Sequence, residues 1–403
     1  MKPVTQNDIA RALGLSQTTV ALVVGRNNNH RGRAKLADET VQRIQEKARE
    51  LGYRPNRHAQ VMRKGRSAQI GIIYRSSQLQ VASERTYHIT HALAACGYDP
   101  VLYDECCHRQ GLEGGIEAML DAKVSGMILC YGGREAGDDQ LLNGVTTPLI
   151  GLSATSVGEH RLIRCDMRDG MLQTFRHLVA QGCRRIASVV PGHVPSSFGS
   201  WLWQQQMQAE GIRQGTLECG GDFSLLDIGR YAEWAAKVGR SGENVTATAL
   251  CTTREIDNTE THWQPYYPGL SVARTLLDSG APLPDAIICP NDDWAVGLAC
   301  ELMRHGVKVP TEVAVTGFND SGICDVFTVP LTSIRQATQA MCQLAVDLLT
   351  REINGEPSRG ETYDLVGQLI PRDSSRFGVP GDELAGPAAA PHLHAFSPSP
   401  PQA

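Results

Sequence analysis

The chain has 403 residues, 41% hydrophobic and 20% charged, with a formal net charge of −5. That length admits two or three domains with substantial cores, and the composition is that of an ordinary globular protein. No run of about eighteen apolar residues is present, which argues against a membrane span. The N-terminus lacks the basic start, apolar stretch and small-residue cleavage site of a signal peptide, so the expected location is the cytoplasm. The 12 cysteines are scattered from Cys96 to Cys342 without C-x-x-C pairs. They read as small buried hydrophobes of a reducing compartment rather than a disulfide framework. Cys106, Cys107 and His108 are consecutive but have no second ligand cluster nearby, so neither a metal nor another cofactor is expected.

Divided along the chain, the charge is informative. Residues 1–66 hold 14 lysines and arginines against 5 acids, a net of +9, and the remainder carries −14. A basic head on an acidic body points to a polyanion that meets the head alone.

Thr5-x-x-Asp8 is a capping-box-like start for a first helix, in which Ile9, Ala10 and Leu13 recur at helical spacing. Gly14 supplies a tight turn and Ser16 a cap for a second helix, whose apolar positions are Val20, Val23 and Val24. This is the outline of a helix-turn-helix. The outward arc of the second helix is Gln17, Thr18, Ala21 and Leu22, with no charge among them. A basic loop, "GRNNNHRGRAK", leads to a third helix over 38–51, which "GYRPN" ends through Gly52 and Pro55. Ala37 offers no side-chain cap there, a loss of roughly 1 kcal/mol. Asn56 opens a short fourth helix over 56–64.

From residue 69 the pattern turns to short β-rich runs alternating with amphipathic stretches. "QIGIIY", "DPVLYD", "GMILCY", "PLIGLSA", "LIRCD", "RIASVV", "DAIICP" and "VAVTGF" read as strands, with helices near 85–96, 168–181, 293–305 and 336–353. Such alternation marks parallel α/β sheets, and about 300 residues exceed one such sheet, so two lobes are expected. The Pro/Ala/Gly-rich residues 376–403 read as a disordered tail. Neither GxSxG, a P-loop, a GxGxxG after a strand, nor a metal-ligand cluster is present, so nothing supports an enzyme.

These segments resemble the LacI/GalR family of bacterial transcriptional regulators. "VTQNDIARALGLSQTTVALVV" looks like its helix-turn-helix, and "LADETVQRIQEKARELGYRPN" like its third helix. "NRHAQVMRKGRSAQIGIIY" is similar to its hinge helix and first core strand. "QGCRRIASV", "GDFS", "PDAIICPNDDWAVGLA", "VPTEVAVTGFND", "PLTSIRQ" and "IPRDSS" follow in the family's order, so the resemblance spans roughly residues 3–376. It implies a headpiece over 1–66 with its hinge at 56–64, and a core over 67–375. That core is two periplasmic-binding-protein-like lobes with parallel sheets, the chain crossing between them near 166, 293 and 325. The implied partners are a near-palindromic DNA operator, a second copy of the chain and a small sugar-like effector, with no membrane.

The resemblance assigns DNA contact to Thr5, Ser16, Gln17, Thr18, Ala21 and Leu22 in the head. In the hinge it assigns Arg57, Ala59, Met62 and Arg63. Gln17 pairs bidentately with adenine, and Thr18 hydrogen-bonds a base or packs its methyl on thymine. Met62 stands where the family places a leucine wedge in the minor groove, with Arg57, Arg63 and Lys64 set for phosphates. For the effector the resemblance nominates Asp166, Phe223, Asn291 and Asn319, with Phe223 stacking on a sugar or purine face. Asn291 also suits a helix cap. The family's ligand-reaching arginine is absent from "PSSFGSWLWQQQ", where Gly199 aligns, which favours a neutral ligand over an anion. Residues 240–268 have no family counterpart and lie over the cleft or extend the dimer interface. The competing reading is a ligand-independent DNA-binding regulator of the same fold with a degenerate pocket.

Overall fold

The computed structural model describes residues 4–24, 36–53, 67–74, 79–105, 111–130, 138–153, 157–191, 199–238, 244–252, 265–358 and 360–379. The described residues through Ser67 form one compact unit, and those from Ala68 onward a second.

In the first unit Thr5 and Asp8 close a reciprocal capping box on α1 (Gln6–Leu13). Asp8 accepts from the Thr5 amide at 2.8 Å and the Thr5 hydroxyl accepts from the Asp8 amide at 3.4 Å, which satisfies two otherwise orphaned donors. Gly14 ends the helix at φ +67°. A Cβ there would meet nothing within 4 Å, so the left-handed conformation, not space, is what calls for glycine. The chain re-enters helix at α2 (Gln17–Val24), and α3 (Asp38–Glu50) is the last described helix of the unit. Ile9, Val20 and Ile44, one from each helix, are fully buried together, with Ala10, Val23, Val41 and Ala48 around them. Ala37 gives α3 no side-chain cap, as expected, and Asp38 and Glu39 favour its N-terminus through the helix dipole instead.

The second unit is built on two parallel sheets. Its elements in chain order are β1 (Gln69–Tyr74), α4 (Leu79–Ala95), β2 (Asp99–Asp104), α5 (Gly111–Asp121), β3 (Gly126–Cys130), α6 (Asp138–Asn143), β4 (Leu149–Leu152) and β5 (Arg161–Cys165). Then come α7 (Met167–Ala180), β6 (Arg185–Val190), α8 (Gly199–Glu218), β7 (Asp222–Asp227), α9 (Tyr231–Val238), β8 (Thr246–Cys251), α10 (Tyr267–Asp278), β9 (Ala286–Ile288), α11 (Asp292–Arg304) and β10 (Ala314–Thr316). The chain finishes with α12 (Ile323–Val326), β11 (Ser333–Arg335), α13 (Thr338–Ile353), β12 (Thr362–Leu365) and β13 (Gln368–Ile370). The first sheet runs β12-β5-β4-β3-β1-β2 and the second β10-β9-β6-β8-β7. Every pairing within the two sheets is parallel, whereas β11 and β13 pair antiparallel between them in sequence. One continuous core joins the sheets, from Ile70, Ile128 and Ile163 to Phe175, Ile186, Phe318 and Ile334. Among the described residues no helix is long and apolar enough to cross a membrane.

Two expectations need correction. The sheet order puts the lobe crossings near Asp166, Gln336 and Val366, away from those expected near 293 and 325. Residues 293 and 325 lie inside the second lobe, because β10 still pairs with β9 there and the first sheet is rejoined only by α13 and β12. The stretch 240–268 is not wholly an insertion either. Its residues Thr246–Cys251 are β8, hydrogen-bonded on both sides within the second sheet. The parts at 239–243 and 253–264, like the tail from 380 onward, lie outside the described residues.

The return of the chain to the first sheet is fastened by Arg161. Its side chain is 3% exposed and donates to Glu361 at 2.8 Å, Glu356 at 2.9 Å and the equally buried Glu352 at 3.2 Å. Burial opposes the Arg161 charge, but the glutamates outweigh it and raise its pKa. Burial raises that of Glu352, with Arg161 opposing. Removing one partner of such a buried pair strands the other's charge. Arg161→Met should therefore lower stability by about 3–5 kcal/mol in urea denaturation. The deficit should shrink as pH falls, since Glu352, an acid with a raised folded pKa, gains stability on protonation. A second change, Glu352→Gln, should recover part of the loss.

Candidate DNA-binding head and effector cavity

In the head, the outward arc of α2 is presented as the periodicity requires. Gln17 and Thr18 are exposed, Ala21 and Leu22 are half-buried, and Leu22 takes no part in the cluster formed by Val20 and Val23. Ser16 caps the helix, its hydroxyl accepting from the Thr19 amide at 3.1 Å. Thr5 and Ser16 are both exposed and both have capping duties. Arg57, Ala59, Met62 and Arg63, and with them the expected hinge helix, lie outside the described residues, as does the basic loop 25–35.

In the second unit, ligand chemistry belongs where loops leave the carboxyl ends of parallel strands. Three of the four nominated residues stand at such ends. Asp166 follows β5 and caps α7, its carboxylate accepting from the Asp169 amide at 3.1 Å. Asn291 follows β9 and caps α11, accepting from the Trp294 amide at 2.9 Å. Asn319 follows β10. Phe223 does not share this edge. It is the second residue of β7, in register with Ala247, and packs against the apolar core. The string "GDFS" matches the family in letters, yet here it begins its strand, so the aromatic ring lies near the amino edge of the sheet. The expectation that Phe223 stacks on the ligand is corrected on that ground. The side chains of Trp201 and Trp203 are outside the described residues.

Asn319 lies in a tightly constrained loop of the unit. It adopts φ +115° and Asp320 φ +54°, both in the left-handed region that ordinary side chains avoid. Such strain persists only where neighbours over-determine it. The Asn319 amide donates to the Ile334 carbonyl at 2.9 Å, and the Asp320 amide to the Ser333 hydroxyl at 3.0 Å. The Asp320 carboxylate, 2% exposed, pairs with Arg335 at 2.6 Å and Arg372 at 2.7 Å. Asp292, 1% exposed, accepts from the Ser321 amide at 2.8 Å and from the Ser333 hydroxyl. Gly317 is required beside it, since a Cβ would stand 2.3 Å from the Asp292 carboxylate.

This loop forms one wall of a cavity of about 530 Å³, within the size range of small-ligand sites. Asn319, Asp320, Ser321 and Gly322 line it on one side, and Val81, Ser83, Glu84 and Tyr87 of α4 on the other. Of the residues nominated from sequence, Asn319 alone reaches it. The α4 residues were missed because a polar helix face carries no mark that distinguishes a cavity wall from solvent. The lining contains two acids and neither lysine nor arginine among the described residues.

Burial pushes the Asp292 carboxyl up to about 6, against the hydrogen bonds from Ser321 and Ser333 that favour its charge. An acid whose folded pKa is raised contributes stability that is full below its unfolded value and lost as pH rises through the folded one. At neutral pH this carboxylate therefore costs stability. Asp292→Asn keeps an acceptor for Ser321 and a donor for Ser333. It should raise stability at pH 7 by up to about 3 kcal/mol, the gain fading toward pH 4. Thermal unfolding of both proteins across that range measures it.

A family model described as a periplasmic binding protein-like domain matches residues 175–375. The chain is 25% identical over 376 residues to the HTH-type transcriptional regulator GntR of Pseudomonas aeruginosa, covering 92% of this chain and 95% of that one. It is 25% identical over 401 residues to the lactose operon repressor of Escherichia coli, covering 96% and 95%. The crystal structure of the Lac repressor dimer bound to operator and the anti-inducer ONPF shares the fold. It has a TM-score of 0.70 at 22% identity and covers 93% of this chain and 99% of that one. With the helix-turn-helix, the two parallel sheets and a likeness that runs nearly end to end, the chain is similar over almost its whole length to transcriptional regulators of the LacI/GalR type.

Proposed function

We propose that the protein is a sequence-specific DNA-binding repressor of carbohydrate-related genes, whose operator affinity is set by a small neutral ligand in the cavity beside Asn319. The observation that carries this is the capped, exposed Gln17-Thr18 edge of α2 on a head with a net charge of +9 over residues 1–66. The relatives' names agree: the lactose operon repressor, and the ribose operon repressor of Escherichia coli at 23% identity. Phosphate contacts give such a head its affinity and register, and base edges give its specificity. Two heads of a dimer on a near-palindromic site double both contributions. Arg57, Ala59, Met62 and Arg63 belong to the same reading, with Met62 wedged into the minor groove between the half-sites. The described lining of the cavity holds no lysine or arginine to bind an anion, and its amide and hydroxyl groups suit a polyol. Action on DNA places the protein in the cytoplasm, at the nucleoid when bound.

The position of Phe223 in the core favours a second reading, a regulator of the same fold that answers to no small ligand. Lactose, cellobiose and D-ribose offered in a thermal-shift measurement discriminate the two, since a ligand of the folded state raises the melting temperature by mass action.

For the head, Gln17→Ala should cost about 1–3 kcal/mol of operator affinity and relax one base position, whereas Leu22→Ala should weaken binding modestly. Wild-type affinity should fall steeply and log-linearly with salt. Both variants measured against single-base operator changes give the answer, and equal, position-blind losses would overturn the assignment of α2.

A further inference from the structure

The residue that joins the two walls of the cavity is Gln336, at the second lobe crossing between β11 and α13. Its two amide atoms face opposite ways. Gln336 Nε2 donates to Asn319 Oδ1, and Gln336 Oε1 accepts from Arg85 Nη2 at 3.3 Å. Asn319 is the strained, ligand-facing residue of the second lobe, and Arg85 belongs to α4 in the first lobe. The three side chains therefore make a hydrogen-bonded line across the crossing, with each end held differently. Arg85 is 3% exposed, and its carbonyl accepts from the Cys342 thiol of α13 at 3.8 Å. Its positive field partly offsets the burial that raises Cys130 and Cys165, the last residues of β3 and β5, and Cys342 of α13 to about 12. The Asn319 end, by contrast, opens on the cavity.

We propose that Gln336 is the positioning residue through which α4 senses occupancy at Asn319. The inference rests on the ligand site proposed above and names how that site is read. A carboxamide cannot reverse without exchanging a donor for an acceptor, so the amide of Gln336 is fixed only while both neighbours are in place. A ligand hydroxyl that donates to Asn319 Oδ1 shares that oxygen with Gln336 Nε2 and, as the Asn319 amide turns toward the ligand, weakens the bond between them. Displacing Gln336 loosens its hold on Arg85, and Arg85 lies in the first turns of a helix whose other face lines the same cavity. The output has a direct route along the chain: α4 follows β1, the strand that opens the second unit two residues beyond Ser67. A polar line of this kind transmits only if its members have two arrangements, which is what a shared acceptor provides.

The test needs neither effector nor DNA, so its failure and that of the repressor reading are separate results. Amide hydrogen exchange of α4 is measured in the full chain for wild type, Asn319→Ala and Asn319→Asp, and each again in a Gln336→Met background. Asn319→Ala should lower protection in the α4 turns around Arg85 several-fold, and Asn319→Asp, which keeps the acceptor, should restore it. In the Gln336→Met background Asn319→Ala should change α4 no further. Should Gln336→Met fail to fold, Gln336→Glu serves, because it accepts from Arg85 yet cannot donate to Asn319. An Asn319→Ala effect on α4 that is absent, or that persists undiminished without the Gln336 amide, overturns the proposal.

Discussion

The cavity loop depends on one buried carboxylate. Asp292 opens α11 and accepts at once from the Ser321 amide and the Ser333 hydroxyl, so it binds the helix to the loop after β10 and to the crossing strand β11. From the α11 side it adds side-chain anchors to the backbone bond from the Asp292 amide to the Phe318 carbonyl at 3.1 Å, beside the strained Asn319 and Asp320. The fold retains an ionisable group where a neutral one would serve stability better, and perturbed carboxyls of that kind gather at functional sites. The cost falls on stability and the return is a fixed direction for Asn319. Arg335 and Arg372 do the same work from the other side by neutralising Asp320.

The head solves a different problem. The outward arc of α2 carries no charge, so the proposed reading assigns affinity and base recognition to different residues. In the proposed reading the lysines and arginines of residues 1–66 supply sequence-blind attraction, while the exposed Gln17 and Thr18 supply hydrogen bonds of fixed pattern. Because the head's three helices share one small core, centred on Ile9, Val20 and Ile44, the orientation of α2 is set by packing rather than by its own propensity. The capping box at Thr5 and the glycine at position 14 fix where α1 begins and ends, and thereby the angle at which α2 leaves it.

Much of this was legible in the sequence, for identifiable reasons. Helix period and caps located the three described helices of the head. Strands rich in branched aliphatics, such as "QIGIIY" and "RIASVV", announced themselves. β8 did not, because "TATALC" buries alanines and threonines that look like loop residues out of context. Phe223 was misplaced because a matching string fixes residue type but not the strand register that decides which edge a ring faces. The crossings were misplaced because successive βα units look alike, whichever sheet they join. Asn319 was nominated by the resemblance and lines the cavity; Gln336 and the α4 wall carried no such mark, since their contacts join residues as far apart as 85 and 336.

The account stands or falls on whether the intact protein reads a DNA sequence. Selection of duplexes from a randomised pool by the full chain at near-physiological salt addresses this directly. The account predicts enrichment of one motif with twofold symmetry, as paired heads require. Retention of DNA without any enriched sequence, fading uniformly as salt is raised, would contradict it and leave only a basic surface that holds polyanions.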